Sequence, residues 1–271
     1  MIFFIHIPKT AGTTFYEIVK KNHDFFLKPK AEFLSKEKYL IEKLSSNKSI
    51  AIRLPGGYET APELLNNIVK NINGCDTSKI DFIGGHVGYG VHRLINEKVD
   101  YISFLREPKK RLISDFNEHH KNGRFFYKKL QNSNFDFNIY LELLLETGLD
   151  NLLTRQLAGP HDFFLQKKMK VSPDIFNKAL SNSEKIIFLD MEKFDESLFF
   201  FNKKFNWKNT SYIKKNVSTK KNEKHNYDKK LLNEIIKYDL RLYDKIQQKV
   251  VNNSDLNFLQ KIKLQIDNFL R

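Results

Sequence analysis

The stretch Ile2-Phe3-Phe4-Ile5-His6-Ile7-Pro8-Lys9-Thr10-Ala11-Gly12-Thr13-Thr14 decides how this chain folds. Residues 2–7 form a nearly continuous apolar run, the pattern of a parallel strand buried on both faces. A glycine-containing loop follows at once. A helix then starts near Thr13 or Thr14, with Phe15, Ile18 and Val19 on one face. Strand, short loop and helix N-terminus form a recurrent anion cradle, because backbone N–H groups and the helix dipole point at the ligand. Lys9 adds a point charge, and Thr10, Thr13 and Thr14 add hydroxyls. A helix cap with no ligand is the other reading these residues allow. The loop does not follow Gly-x-x-x-x-Gly-Lys-Ser/Thr: Lys9 precedes Gly12 and no first glycine stands at the required place. A γ-phosphate site of the usual kind is therefore disfavoured.

Outward from this stretch, the pattern alternates. Strands are expected over 80–83, 101–105 and 186–189. Helices are expected over 24–48, 62–72, from Pro108 to near Gly123, and over 135–147. Further helices should run from Ser172-Pro173 to about 180, over 192–203, from Tyr227 onward, and over 255–270. Alternating strands and helices predict an α/β domain with a mainly parallel sheet. No internal repeat or convincing linker divides the chain, so one domain over 1–271 is expected, with a helical C-terminal part over about 226–271.

A second basic loop follows a second buried strand. Arg106-Glu107-Pro108-Lys109-Lys110-Arg111 opens a helix that carries Ser114 about two turns in. The planar guanidinium of Arg106 matches phosphate oxygens, and Ser114 could complete a clamp. Lys109 and Lys110 read as solvated surface.

The 271 residues carry 46 Lys+Arg against 32 Asp+Glu, a formal net charge of +14. That balance suits a polyanionic partner, although lysine accumulated on a solvated surface gives the same number. The single Cys75 excludes an intramolecular disulfide and fits a reducing compartment. No run reaches the length of a membrane span, and the N-terminal run lacks a basic region before it. A cytoplasmic location, or one peripheral to a membrane, is expected.

The two loops together resemble those of the sulfotransferase superfamily, in the branch that contains heparan sulfate 2-O-sulfotransferases and their bacterial relatives. His6 to Thr14 is similar to that family's 5′-phosphosulfate loop, and Phe104 to Pro108 with Arg111 and Ser114 is similar to its 3′-phosphate motif. Gly85-His86-Val87 stands where the branch carries its catalytic histidine. Residues 150–159 resemble a substrate-side segment, and 187–198 a late strand-helix unit. The resemblance runs from residue 2 to about 245.

It implies a P-loop-NTPase-like three-layer α/β fold and transfer of a sulfuryl group from 3′-phosphoadenosine 5′-phosphosulfate (PAPS) to an acceptor hydroxyl. The acceptor would be a saccharide or glycolipid, with no metal and no nucleic acid required. By the same resemblance Lys9, Thr10, Ala11, Gly12, Thr13 and Thr14 would hold the 5′ end, and Lys9 would also stabilise the leaving oxygen. Arg106 and Ser114 would hold the 3′-phosphate. His86 would be the base. Asn216, Ser218, Lys220 and Lys221 would belong to a lid over the nucleotide, in a stretch with ten lysines between 203 and 230. Arg155 and Gln156 would meet the acceptor. Two other readings stand beside this one: a P-loop-like nucleotide kinase, and a basic nucleic-acid-binding protein.

Overall fold

In the computed structural model, residues 1–28, 48–54, 77–94, 98–159, 170–212 and 226–250 are described. They form one six-stranded, wholly parallel sheet with helices on both faces, the α/β three-layer arrangement expected from the sequence. The strands are β1 (Ile2–Ile5), β2 (Phe25–Leu27), β3 (Ile50–Arg53), β4 (Ile80–Gly85), β5 (Asp100–Leu105) and β6 (Ile186–Asp190), in the order β2-β3-β4-β1-β5-β6. The helices are α1 (Gly12–Lys21), α2 (Pro108–Glu118), α3 (Tyr127–Asn132), α4 (Phe137–Thr147), α5 (Leu152–Ala158), α6 (Pro173–Ser183), α7 (Phe194–Phe205) and α8 (Lys229–Gln247).

β1 lies mid-sheet, paired with β4 on one side and β5 on the other. Phe3, Phe4 and Ile5 are wholly buried, each side chain contributing roughly 1.5–3 kcal/mol of transfer free energy. Side chains alternate across the pleat. Phe3, Ile5 and Ile7 face a core shared with α5, α6 and α8. Ile2 and Phe4 face the opposite core, shared with Phe15, Ile18 and Val19 of α1 and Leu198 and Phe201 of α7. A third cluster joins α2, α3, α4 and α8.

Several expectations change. The expected helix over 24–48 contains the strand β2 at its start; its remainder, residues 29–47, lies outside the described residues. β3 was not expected, nor were the short helices α3 and α5. A strand of three or four residues is too short for periodicity to separate from a buried turn. The expected helices over 62–72 and 255–270 also lie outside the described residues.

α5 is buried at every position and is held by α8. Asp239, itself fully buried, accepts the backbone N–H of Leu153 at 3.1 Å and of Thr154 at 2.8 Å, so it caps α5 from another helix. Burial raises its pKa, opposed by the buried Arg111 guanidinium and these hydrogen bonds. Asn151 adds a backbone bond to the Ile235 carbonyl at 2.7 Å. Removing one partner of such a buried set leaves the others unsatisfied. Asp239→Ala should therefore lower unfolding free energy by about 3 kcal/mol, read from urea melts. A loss under about 1 kcal/mol would mean that α5 does not depend on this cap.

Candidate active site

The carboxyl ends of β1, β3, β4 and β5 bring Lys9, Arg53, His86 and Arg106 to one edge of the sheet. Ligands collect there in open α/β folds. The loop after β1 turns sharply. Lys9 and Ala11 both adopt left-handed backbone, with φ of 67° and 60°. Non-glycine residues in that region store strain, and alternating hands of this kind make a concave nest of N–H groups. Ala11 is the N-cap of α1, and no side chain caps that helix. Its first-turn amides, those of Gly12 and Thr13, thus open towards the nest. A Cβ at Gly12 would run into the His6 imidazole, so only glycine fits there.

The second loop docks onto the first. Arg106 Nη1 donates to the Lys9 carbonyl at 3.1 Å. Arg106 Nε is buried and has no hydrogen-bond partner among the described residues. Glu107 caps α2 by accepting from the N–H groups of Lys109 and Lys110 at 2.9 and 2.7 Å. Ser114 is half-buried on α2. Lys9 Nζ reaches Glu118, at the far end of α2, at 3.0 Å.

His86 stands directly after β4. Its Nδ1 donates to the His6 carbonyl at 2.8 Å. A carbonyl can only accept, so the proton is on Nδ1 and the lone pair is on Nε2. The ring stacks on that of His6, centroids 4.2 Å apart, and His6 in turn stacks on Phe4. Burial lowers the His86 pKa to about 4, with Arg53 adding to the effect, while the His6 carbonyl and Asp115 oppose it. Burial, followed by His86, Arg53 and Lys9, holds His6 well below its ordinary value. Both rings are neutral near pH 7. Arg53 lies over the Tyr16 ring, 4.2 Å from its centroid.

Three residues expected at the site make internal contacts. Thr10 is wholly buried and its hydroxyl donates to the Ile7 carbonyl at 2.7 Å, so it closes the loop rather than offering a hydroxyl to a ligand. Arg155 is 1% exposed and pairs with Asp150 at 2.6 Å. Gln156 is 0% exposed and donates to the carbonyls of His6 and Val87, each at 3.2 Å. Gln156 staples the end of β1 to the residue after His86. The Tyr89 N–H bonds the Gln156 carbonyl at 2.9 Å, and a Cβ at Gly159 would overlap the Tyr89 backbone. Asn216, Ser218, Lys220 and Lys221 lie outside the described residues.

His6, Arg53, Asp115 and Glu118 were missed. Arg53 repeats the Leu105-Arg106 signal, a basic residue ending an apolar run, but β3 itself went unread. His6 interrupts an apolar run, which is the one clue to it. A cavity of about 660 Å³ opens at the opposite edge of the sheet, between Met1, Asp24, Asp81, Asp100 and Trp207. His23, whose pKa burial lowers, lines that cavity, but the strained loop, Arg53, Arg106, His6 and His86 all lie away from it, so the candidate site is placed at the carboxyl edge. No family model matches this sequence, and no curated protein matches it significantly.

His86 gives a direct check. Its ¹⁵N ring shifts should report the Nδ1–H tautomer and a titration midpoint near 4. Because the folded pKa lies below the ordinary value of about 6.5, the unfolded chain binds more protons between these limits, and His86 removes stability as pH falls through that window. A midpoint near 6.5 would mean an exposed imidazole without the His6 contact.

Proposed function

We propose that the protein is a sulfotransferase that moves a sulfuryl group from PAPS to an acceptor hydroxyl. The observation that carries this reading is the hydrogen bond from Arg106 to the Lys9 carbonyl, which joins two anion-suited loops into one site beside His86. The residues present fit a nucleotide with phosphate at both ends. The nest at Lys9–Ala11 suits one anionic group, and the unsatisfied buried Nε of Arg106 suits another.

In this reading the first-turn amides of Gly12 and Thr13 bind the 5′ end, with the Thr13 and Thr14 side chains beside them. Arg106 and Ser114 bind the 3′-phosphate and so select against ATP. The donor, when bound, supplies an activated sulfur that is open to in-line attack. His86 Nε2 takes the acceptor hydroxyl proton, its tautomer fixed by the His6 carbonyl. The low His86 pKa keeps that nitrogen unprotonated in neutral solution. Lys9 neutralises charge on the departing oxygen. Positioning and electrostatics account for the rate, as in phosphoryl transfer. A saccharide or glycolipid hydroxyl is the proposed acceptor, and a cytoplasmic or membrane-peripheral location is proposed with it. Among the described residues no helix is long and apolar enough to cross a membrane.

Thermal melts test the donor site. 3′-Phosphoadenosine 5′-phosphate (PAP) should raise the melting temperature, while ADP and ATP with magnesium leave it nearly unchanged. Arg106→Ala should weaken PAP by at least tenfold, since a charge-assisted hydrogen bond contributes about 1.5–3 kcal/mol. A shift with ATP and magnesium alone would favour a nucleotide kinase. No shift with any nucleotide, beside a salt-sensitive gel shift, would favour nucleic-acid binding.

A further inference from the structure

A carboxylate lies where an anion site should have none. Glu118 closes α2, at the negative end of that helix's dipole, a position that disfavours acidic side chains. Its side chain is only 16% exposed. Three cations converge on it. Lys9 reaches Oε2 at 3.0 Å and Lys121 reaches the same oxygen at 2.8 Å, while Arg124 pairs with Oε1. One negative charge therefore faces three positive ones. This is the coordination a tetrahedral oxyanion would receive, built here around an internal carboxylate. The pairings lower the Glu118 pKa to about 2 even though burial acts the other way, so the group is ionised throughout the neutral range.

Lys9 comes from the loop after β1, and Lys121 and Arg124 from the turn after α2. An exposed ion pair between two surface side chains adds little. This group is different, because it ties the lysine of the first anion loop to a basic turn about 110 residues away in sequence.

We propose that Glu118 is an internal plug: its carboxylate holds Lys9, Lys121 and Arg124 until an incoming sulfuryl or phosphoryl oxyanion displaces it and takes over the three cations. This assigns Lys121 and Arg124 to anion recognition and makes Glu118 a positioning residue that acts through Lys9. It rests on the sulfotransferase reading for the identity of the anion, but not for the existence of the anion site. The competition has a sign. A plug opposes the ligand, so removing its charge tightens binding. A structural support steadies the loop, so removing it weakens binding or leaves it alone.

The experiment is a titration of parent and Glu118→Gln with PAP and, separately, with inorganic sulfate, at fixed ionic strength. Glu118→Gln should bind about tenfold more tightly, the equivalent of one charge-assisted contact no longer opposed. Arg124→Ala, a change on a half-exposed side chain that should fold normally, should bind both anions several-fold more weakly. Unchanged or weaker binding by Glu118→Gln overturns the plug. Should that variant fail to fold, unchanged binding by Arg124→Ala overturns it. If sulfate shows the expected pattern but PAP binds neither protein, the plug stands and the nucleotide reading falls. If neither anion binds any variant, the plug falls.

Discussion

The carbonyl oxygen of His6 accepts from two side chains that reach it from distant parts of the chain: His86 Nδ1 at 2.8 Å and Gln156 Nε2 at 3.2 Å. That one acceptor fixes where β1 ends, which way the His86 ring faces and which of its nitrogens holds the proton. Gln156 can act there because α5 is wholly buried, and α5 is buried because Asp239 and Asn151 tie it to α8. The chain of dependence runs from a core helix pair to the protonation state of a single imidazole. Low local polarity strengthens each bond in it and raises the cost of losing one.

The loops after β1 and β5 depend on the same edge. Lys9 and Ala11 accept left-handed backbone that their side chains disfavour. Arg106 grips the Lys9 carbonyl, and Glu118 grips its ammonium group. Strain in the loop is thus held by contacts from α2 and its preceding strand rather than by the loop itself. Such arrangements occur where backbone donors must converge on a ligand, and the open N-terminus of α1 supplies those donors.

Electrostatically the edge combines excess positive charge with two neutral histidines. Arg53, Lys9 and Arg106 suit anions; after burial, Arg53 helps to lower the pKa of both His6 and His86, and Lys9 that of His6. In the sulfotransferase reading, a base that must accept a proton next to anion-binding cations needs this separation of roles. Burial supplies most of it. Asp115, which accepts from the Tyr140 hydroxyl at 2.8 Å, opposes the lowering of the His86 pKa.

The sequence alone determined the parallel core and the order of the two loops, because a six-residue apolar run, a following helix period and an arginine ending a second apolar run are local patterns. It placed β1, β4, β5 and β6 and the helices that begin at Pro108 and Pro173, since capping residues and proline act within one turn. Lys9 and Arg106 were singled out by their positions after strands, and His86 by the resemblance. Only the tertiary structure decided what β2 and β3 do, because neither is followed by a loop-and-helix signal like that after β1 and both are set by pairing, β3 with β4 and β2 with β3. It also decided that Gln156 is a staple, that Thr10 closes its own loop, and that Glu118 holds Lys9 from 109 positions away. Those assignments depend on which side chains meet across the sheet edge, and no spacing along the chain encodes that meeting.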